Sequence, residues 1–295
     1  MTAKTKPAPV LRIDQLSLSI RHEDGLSPIL DQVSIEVSAG SVHGLAGESG
    51  SGKTITGLTV LGLEPRRSEV SGHIWLEDTD LLQIKGSALN QVRGRHIGMV
   101  FQDPSTSLHP QLTVGSQLTD HVRFHLKVSK ATAMERAAQA LDRVGLRGGQ
   151  ATLQRYPHEF SGGQRQRIAI AMALACEPKV LIADEPTTAL DVTVQAGVLA
   201  LIRQLVDTMG LAVLFITHDL GVMSSVADTV AIMRHGQVVE NGPRREVFTE
   251  PAHPYTRQLL ASLPGAKGGL ASRQDLERMH QSDTGQAPKA EGSAL

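Results

Sequence analysis

The stretch "VHGLAGESGSGKTITGLTVLGL", Val42 to Leu63, leaves the chain few folds to choose from. An apolar run ends in a glycine loop, and a helical pattern starts directly behind it. Gly47-Glu48-Ser49-Gly50-Ser51-Gly52-Lys53-Thr54 matches G-x-x-x-x-G-K-[ST], the spacing of a phosphate-binding loop between a strand and a helix. The glycines let the backbone wrap phosphates with inward N–H groups, and the helix adds its positive N-terminal end. Lys53 is placed to reach the β- and γ-phosphates, and the Thr54 hydroxyl to ligate Mg²⁺. The plain alternative is an ordinary glycine turn before a helix; the apolar strand ahead of the loop argues against it.

Two more continuous apolar runs, "KVLIADEP" (179–186) and "LAVLFITHD" (211–219), suit strands buried on both faces. Helical patterns separate them, which predicts an α/β P-loop core with a mostly parallel sheet. Residues 10–46 alternate apolar and polar, so "LRIDQLSLSI" and "VSIEVSAG" are predicted strands of an antiparallel β layer. Further strands are predicted at "GHIWLED" and "HIGMVFQD", and a closing strand pair in "TVAIMRHGQVVENG". Between about 104 and 160 the pattern turns helical, in "SQLTDHVRFHL" and "KATAMERAAQALDRVGL", and predicts a helical subdomain inserted in the core. The domain is expected to cover 9–264. Residues 265–295 are polar, small and aperiodic, and are expected to form a disordered tail.

Composition narrows the function. Aromatics are 3% of the residues, so stacking platforms for nucleic acid are not expected. Lys and Arg total 29 against 30 Asp and Glu, so no charge excess seeks a polyanion either. The one cysteine, Cys176, lies in the apolar "MALACEP" and is expected to be a buried thiol. The opening "MTAKTKPAPV" lacks the apolar core of a signal peptide, and no apolar run approaches the roughly 20 residues that span a bilayer. A cytoplasmic location is expected, with any membrane attachment made through partners.

Three further polar sites follow apolar strands, where α/β sheets gather their ligands. Asp184 and Glu185 end "VLIADE": Asp184 is placed to hold Mg²⁺ through water, and Glu185 to polarise an attacking water. A solvated acidic pair at a strand end is the alternative. His218 follows "LFIT" and Gln102 follows "GMVF"; the first points toward a γ-phosphate, the second toward both metal and water. A lone histidine there is more often structural, and its weight comes from the company it keeps.

A second glycine turn, "FSGGQRQRIAIAMA", begins at Phe160. Ser161 and Gln164 have the spacing of a capping box, which starts a helix without any ligand. Gly162 and Gly163, however, cost roughly 1 kcal/mol each relative to Ala inside a first turn. Close approach of another group, a phosphate among them, is one reason to keep them.

Taken in order, "GESGSGKT", "FQDP", "FSGGQ", "LIADEP", "TALD" and "THD" resemble the Walker A, Q-loop, signature, Walker B, D-loop and switch-histidine motifs of ATP-binding cassette ATPases. The resemblance implies that two cassettes pack head to tail. The P-loop of one and the signature of the other then enclose one ATP, so Ser161, Gly162, Gly163 and Gln164 would serve a neighbour's nucleotide. Asp191 of "TALD" joins the nucleotide-binding set, and Thr54, Gln102 and Asp184 the Mg²⁺ set.

Within that family, "FQDPSTSLHPQLTVGSQLTDH" and "PAHPYTRQLLASLP" resemble the cassettes of bacterial oligopeptide, dipeptide and nickel importers. This implies an ATPase subunit on the cytoplasmic face of the membrane, held there by two separate permease subunits. It also implies a second cassette, the same or homologous, and an extracytoplasmic substrate-binding protein that chooses the cargo. Peptide is the expected cargo, with nickel or another small solute next. The subgroup's iron–sulfur cysteines have no counterpart after "HPYT", so no cluster is expected. The family's adenine-stacking aromatic falls by spacing on Ile20, with His22 as a substitute. Phe160 stands where leucine is more usual. Two rivals remain: a cassette serving a cytoplasmic enzyme complex, such as phosphonate breakdown, and a soluble cassette ATPase acting on nucleic acid.

Overall fold

The computed structural model describes residues 8–188 and 190–262. Two long strands, β1 (Pro9–His22) and β2 (Gly25–Ser38), come first; β3 (Val42–Ala46) then feeds helix α1 (Lys53–Val60). β4 (Ser68–Leu76), β5 (Thr79–Asp80), α2 (Ser87–Val92) and β6 (Ile97–Val100) follow. A helical stretch comes next: α3 (Pro104–Ser107), α4 (Val114–Leu126), α5 (Lys130–Arg143), α6 (Gly149–Leu153) and, after a 3-10 turn at Pro157–Glu159, α7 (Gly162–Leu174). β7 (Val180–Asp184), α8 (Val192–Met209), β8 (Ala212–Thr217) and α9 (Leu220–Val226) complete the core crossovers. The hairpin β9 (Thr229–Arg234) and β10 (Gln237–Pro243) is followed by α10 (Arg244–Thr249) and α11 (Pro254–Ala261).

β1, β2, β4 and β5 form an antiparallel sheet in the order β2-β1-β4-β5. Its apolar alternation changes phase within both long strands. On β1 the buried residues run Leu11, Ile13, then Leu16, Leu18; on β2 they run Leu30, then Val33, Ile35, Val37. The changes fall at Gln15 and Gln32, both at positive φ (47° and 50°). A serine of the facing strand holds each one. Ser34 Oγ accepts from the Gln15 N–H and Ser17 Oγ from the Gln32 N–H, both at 3.0 Å. Each irregularity shifts the pleat by one residue, so that one face of the sheet stays apolar throughout.

The second sheet has six strands in the order β10-β9-β3-β8-β7-β6, parallel throughout except for β10 at its edge. β7 and β8 are buried at every residue, as their unbroken apolar text requires. Alternate side chains enter two cores. Leu45, Ile182, Leu214 and Ile216 face the antiparallel sheet and pack with its Leu11 and Leu18. Leu181, Val213 and Phe215 face the helices, meeting Leu118 of α4, Leu141 of α5, Ile168 of α7 and Ile202 of α8. The α/β core, the mostly parallel sheet, the antiparallel layer and the helical insertion are therefore all present as predicted. Cys176 is buried, and burial pushes its thiol up to about 11. The tail expected over 265–295 lies outside the described residues.

α7 crosses close over β6. A Cβ at Gly98 would stand 2.4 Å from the carbonyl oxygen of Ala173, which is backbone and cannot swing aside. Gly98→Ala should therefore destabilise the fold by roughly 1–3 kcal/mol, the usual cost of overpacking. Urea unfolding checks it: the midpoint should fall with an unchanged slope.

Candidate active site

The parallel register brings the predicted polar residues to one edge. Ala46 of β3 lies opposite Thr217 of β8, Asp184 of β7 opposite Ile216, and Val100 of β6 opposite Ala183. Gly47, His218 and Glu185 are each the first residue beyond their strands, and Gln102 the second beyond β6. The P-loop, Gln102, Glu185 and His218 line a single cleft of about 590 Å³.

The P-loop is folded around its own lysine. Lys53 is 5% exposed, and its Nζ donates to the carbonyl oxygens of Gly47 at 2.9 Å and Glu48 at 2.8 Å. Burial lowers its ammonium pKa; Glu185, Asp184 and Glu48 act against that shift. Gly47 has no substitute, because at φ 153° a Cβ would stand 2.1 Å from the Met233 carbonyl oxygen. Ser51 carries the loop's other brace, its carbonyl accepting from Gly236 N–H at 3.0 Å.

Behind the loop, the Thr54 hydroxyl donates to Asp184 Oδ1 at 3.1 Å. Burial raises the Asp184 carboxyl above its usual range; Glu185 adds to the rise, while Thr54 and Lys53 oppose it. A buried carboxylate touching a hydroxyl, with the Gln102 amide in the same cleft, is an all-oxygen donor set. That chemistry fits a hard, small cation such as Mg²⁺.

Glu185 is the most constrained residue of the site. It has φ 47°, a conformation that costs a non-glycine residue of order 1–3 kcal/mol. Its N–H donates to Ile216 O at 2.8 Å, which ties the turn to β8. Three groups hold its carboxylate: Gln102 Nε2 and Thr188 Oγ1 both donate to Oε2 at 3.0 Å, and His218 Nδ1 lies 2.7 Å from Oε1. An ionised carboxylate only accepts, so in that pairing Nδ1 carries the hydrogen and Nε2 is left for another partner.

The second glycine turn lies elsewhere. Ser161, Gly162, Gly163 and Gln164 do not line this cleft. They form the full capping box: Ser161 Oγ accepts from Gln164 N–H at 3.3 Å, and Gln164 Oε1 from Ser161 N–H at 3.0 Å. The two glycines have different reasons to be there. A Cβ at Gly163 would meet the Val194 side chain at 2.3 Å, whereas one at Gly162 would meet only open space. Asp191 is also outside the cleft and caps α8, accepting from Val194 N–H at 3.0 Å.

Sequence reasoning missed part of the wall. Ile29 and Leu259 line the cleft; Ile20 and His22 do not. Ile20 packs instead against the core shared by the two sheets, and His22 is exposed beside its partner Gly25. Thr188 was missed too, although its three-residue spacing from Glu185 is that of a turn. Nothing local marks Leu259, which reaches the P-loop from more than 200 residues away.

Comparison with known proteins agrees with this geometry. Residues 30–188 match the family model described as ABC transporter, and residues 239–290 that of the oligopeptide/dipeptide transporter C-terminal region. A putative peptide import ATP-binding protein of Brucella abortus is 45% identical over 265 residues, covering 90% of this chain and 80% of that one. The oligopeptide transport ATP-binding protein OppD of Bacillus subtilis is 45% identical, covering 86% of this chain and 72% of its own. Among solved structures, a dimeric ATP-binding cassette in a post-hydrolysis state with ADP and Pi superposes with a TM-score of 0.69 at 26% identity. It covers 80% of this chain and 99% of that one. A cassette from Clostridium perfringens, part of an ABC transporter complex, gives 0.70 at 26% identity over 94% of this chain and 99% of that one. With its P-loop, Glu185 and His218 gathered in one cleft and these matches over most of its length, the chain belongs to the ATP-hydrolysing cassettes of the ABC transporter family.

Proposed function

We propose that this chain is the ATPase subunit of a bacterial peptide importer and that Glu185, held by Gln102, Thr188 and His218, activates the attacking water. The observation that carries the catalytic part is that three-sided grip. A carboxylate whose both oxygens are fixed, at the end of a buried strand and beside a P-loop, meets the positional demand on a base in phosphoryl transfer.

In this reading ATP enters with its phosphates against residues 47–54. Lys53 gives up its contacts with the Gly47 and Glu48 carbonyls for the β- and γ-phosphate oxygens, which restores the charge partner that burial denies it. Thr54, Asp184 and Gln102 would hold Mg²⁺, whose charge would offset that of the phosphates. Glu185 accepts a proton from the water, and His218 faces the γ-phosphate with its second ring nitrogen. Ser161, Gly162, Gly163 and Gln164 of this chain close on the nucleotide of a second cassette, with Asp191 beside them. The open space at Gly162 and the exposed Val192, at 77%, support an approach from outside the chain.

The transport role rests on the relatives and on one surface. Relatives carrying peptide-import names match most of this chain, and the matching C-terminal region is that of oligopeptide and dipeptide transporters. No helix of the described residues is long and apolar enough to cross a membrane, so the permeases would be separate chains. Between β6, α4 and α7 runs an apolar cleft of about 300 Å³ lined by Leu63, Phe101, His121 and Met172. Leu63 and Phe101 are exposed there, at 43% and 39%, beside Gln102 of the catalytic set. A permease seated in that cleft would sense the catalytic site directly. An external binding protein would deliver the peptide.

Glu185→Gln should lower kcat for ATP by roughly 10² or more, the worth of a positioned base, while MgATP still binds. Near-normal turnover would remove Glu185 from the role. Affinity purification of the tagged chain from detergent-solubilised native membranes tests the transport reading. Two multi-spanning permeases should co-purify, with or without a second cassette. Recovery with metabolic enzymes or nucleic acid and no permease would overturn import and leave the ATPase chemistry intact.

A further inference from the structure

The last described helix is packed against the P-loop, and it is firmly anchored there. Glu240 of β10 fixes its start: Oε1 accepts from Ala252 N–H at 2.8 Å and Oε2 from His253 N–H at 3.0 Å. Burial pushes the Glu240 carboxyl up, but the Thr256 hydroxyl beside it, together with these two backbone N–H groups and His253, holds it below its usual range. His253 caps the helix, its Nδ1 accepting from Tyr255 N–H at 3.1 Å. Arg257 folds back onto the carbonyls of Pro251 and Ala252 at 2.9 and 3.0 Å. The Glu240 bonds tie the start of the helix to β10, and the His253 and Arg257 bonds close its first turn.

Two residues one turn apart on that helix, Tyr255 and Leu259, meet the nucleotide loop. Residues at i and i+4 share a helix face. Tyr255 is 4% exposed; the Arg234 guanidinium lies 4.6 Å over its ring, and its hydroxyl accepts from the Glu48 N–H in a long bond of 3.4 Å. Leu259 lines the nucleotide cleft itself, together with Ile29. The catalytic and phosphate-binding side chains, Lys53, Thr54, Gln102, Glu185 and His218, occupy the polar part of the same cleft. Among the described residues no Phe, Tyr or Trp lines it. A purine ring needs an apolar face, and Ile29 and Leu259 offer one.

We propose that α11 is a wall of the ATP site, with Leu259 packing against the nucleoside and Tyr255 acting as a positioning residue that tethers the P-loop at Glu48. The proposal rests on the assignment of residues 47–54 to ATP. It makes the C-terminal part of the domain a determinant of nucleotide affinity, separate from the hydrolytic set. The aliphatic pair takes the place of an aromatic platform, and the tether fixes where the loop leaves β3.

The test compares two probes on the full chain, MgATP and magnesium tripolyphosphate, which has the phosphates without the nucleoside. Leu259 is half-buried and also touches the helical core, so each variant is first matched to the parent chain by urea unfolding; Leu259→Ser removes the apolar contact and Leu259→Met keeps it. Leu259→Ser should weaken MgATP binding about fivefold to tenfold, the loss of one apolar contact surface, and leave tripolyphosphate binding unchanged. Leu259→Met should restore MgATP affinity. Tyr255→Phe keeps the ring beneath Arg234 and removes only the hydroxyl; it should weaken both probes about threefold to tenfold, the worth of one hydrogen bond. Unchanged MgATP affinity in both variants, with binding lost in Lys53→Ala, would overturn the wall and leave the ATP site standing. Equal weakening of both probes by Leu259→Ser would refute the nucleoside contact. Retained affinity in Lys53→Ala would strike the ATP assignment beneath the proposal.

Discussion

The site depends on the register of four parallel strands. With Ala46 opposite Thr217, Asp184 opposite Ile216 and Val100 opposite Ala183, the chain leaves the sheet at one level in four places. Sliding one strand by a residue would shift its loop by about 3.3 Å and turn its side chains to the opposite face. The Glu185 carboxylate would then lose partners that lie 2.7 to 3.0 Å away. Burial of both faces prevents that slip. Ile182 and Leu214 fill one core, Leu181 and Val213 the other, and neither face tolerates exchange. The hydrophobic effect thus sets ångström-scale geometry at a polar site it does not touch.

Much of this was legible because it is written locally. The P-loop declares itself in eight residues, and the strands β7 and β8 in unbroken apolar runs. The capping box at Ser161 follows from a three-residue spacing and is fully formed. What stayed hidden depends on distance or on surroundings. The phase changes at Gln15 and Gln32 each need a serine from the facing strand, so neither strand shows them alone. One need for Gly163 comes from Val194, thirty-one positions on, which no pattern near the turn announces. Ile20, at the spacing of the family's stacking aromatic, packs against the core between the two sheets, a contact that spacing alone does not show. Leu259 and Tyr255 could not be found at all, because no pattern near residue 255 mentions residue 48.

The two glycine turns are built on opposite terms. The P-loop is held by its own chain from several sides: Lys53 inside it, Gly236 beneath it, Tyr255 beside it. The Ser161 turn ties the N–H groups of Ser161 and Gln164 to its own side chains and leaves Gly162 bare. One cradle is braced within the molecule; in the other, Val194 backs Gly163, and among the described residues nothing lies against the open side of Gly162. Such an asymmetry fits an enzyme that closes each site with a neighbour. Energy from ATP would then be available as motion between subunits, where a membrane partner in the cleft beside Gln102 could use it.

The proposal that the P-loop of one cassette and the Ser161 turn of its neighbour grip one γ-phosphate can be read by vanadate trapping. Orthovanadate takes the γ-phosphate position with Mg²⁺ and ADP, and ultraviolet light then cuts backbone beside the bound vanadium. Native complexes purified with their membrane subunits, trapped and irradiated, should yield fragments of this chain cut both within 47–54 and within 161–164. Cuts at the P-loop alone would contradict the second cradle, and an intact chain under trapping conditions would contradict the site itself.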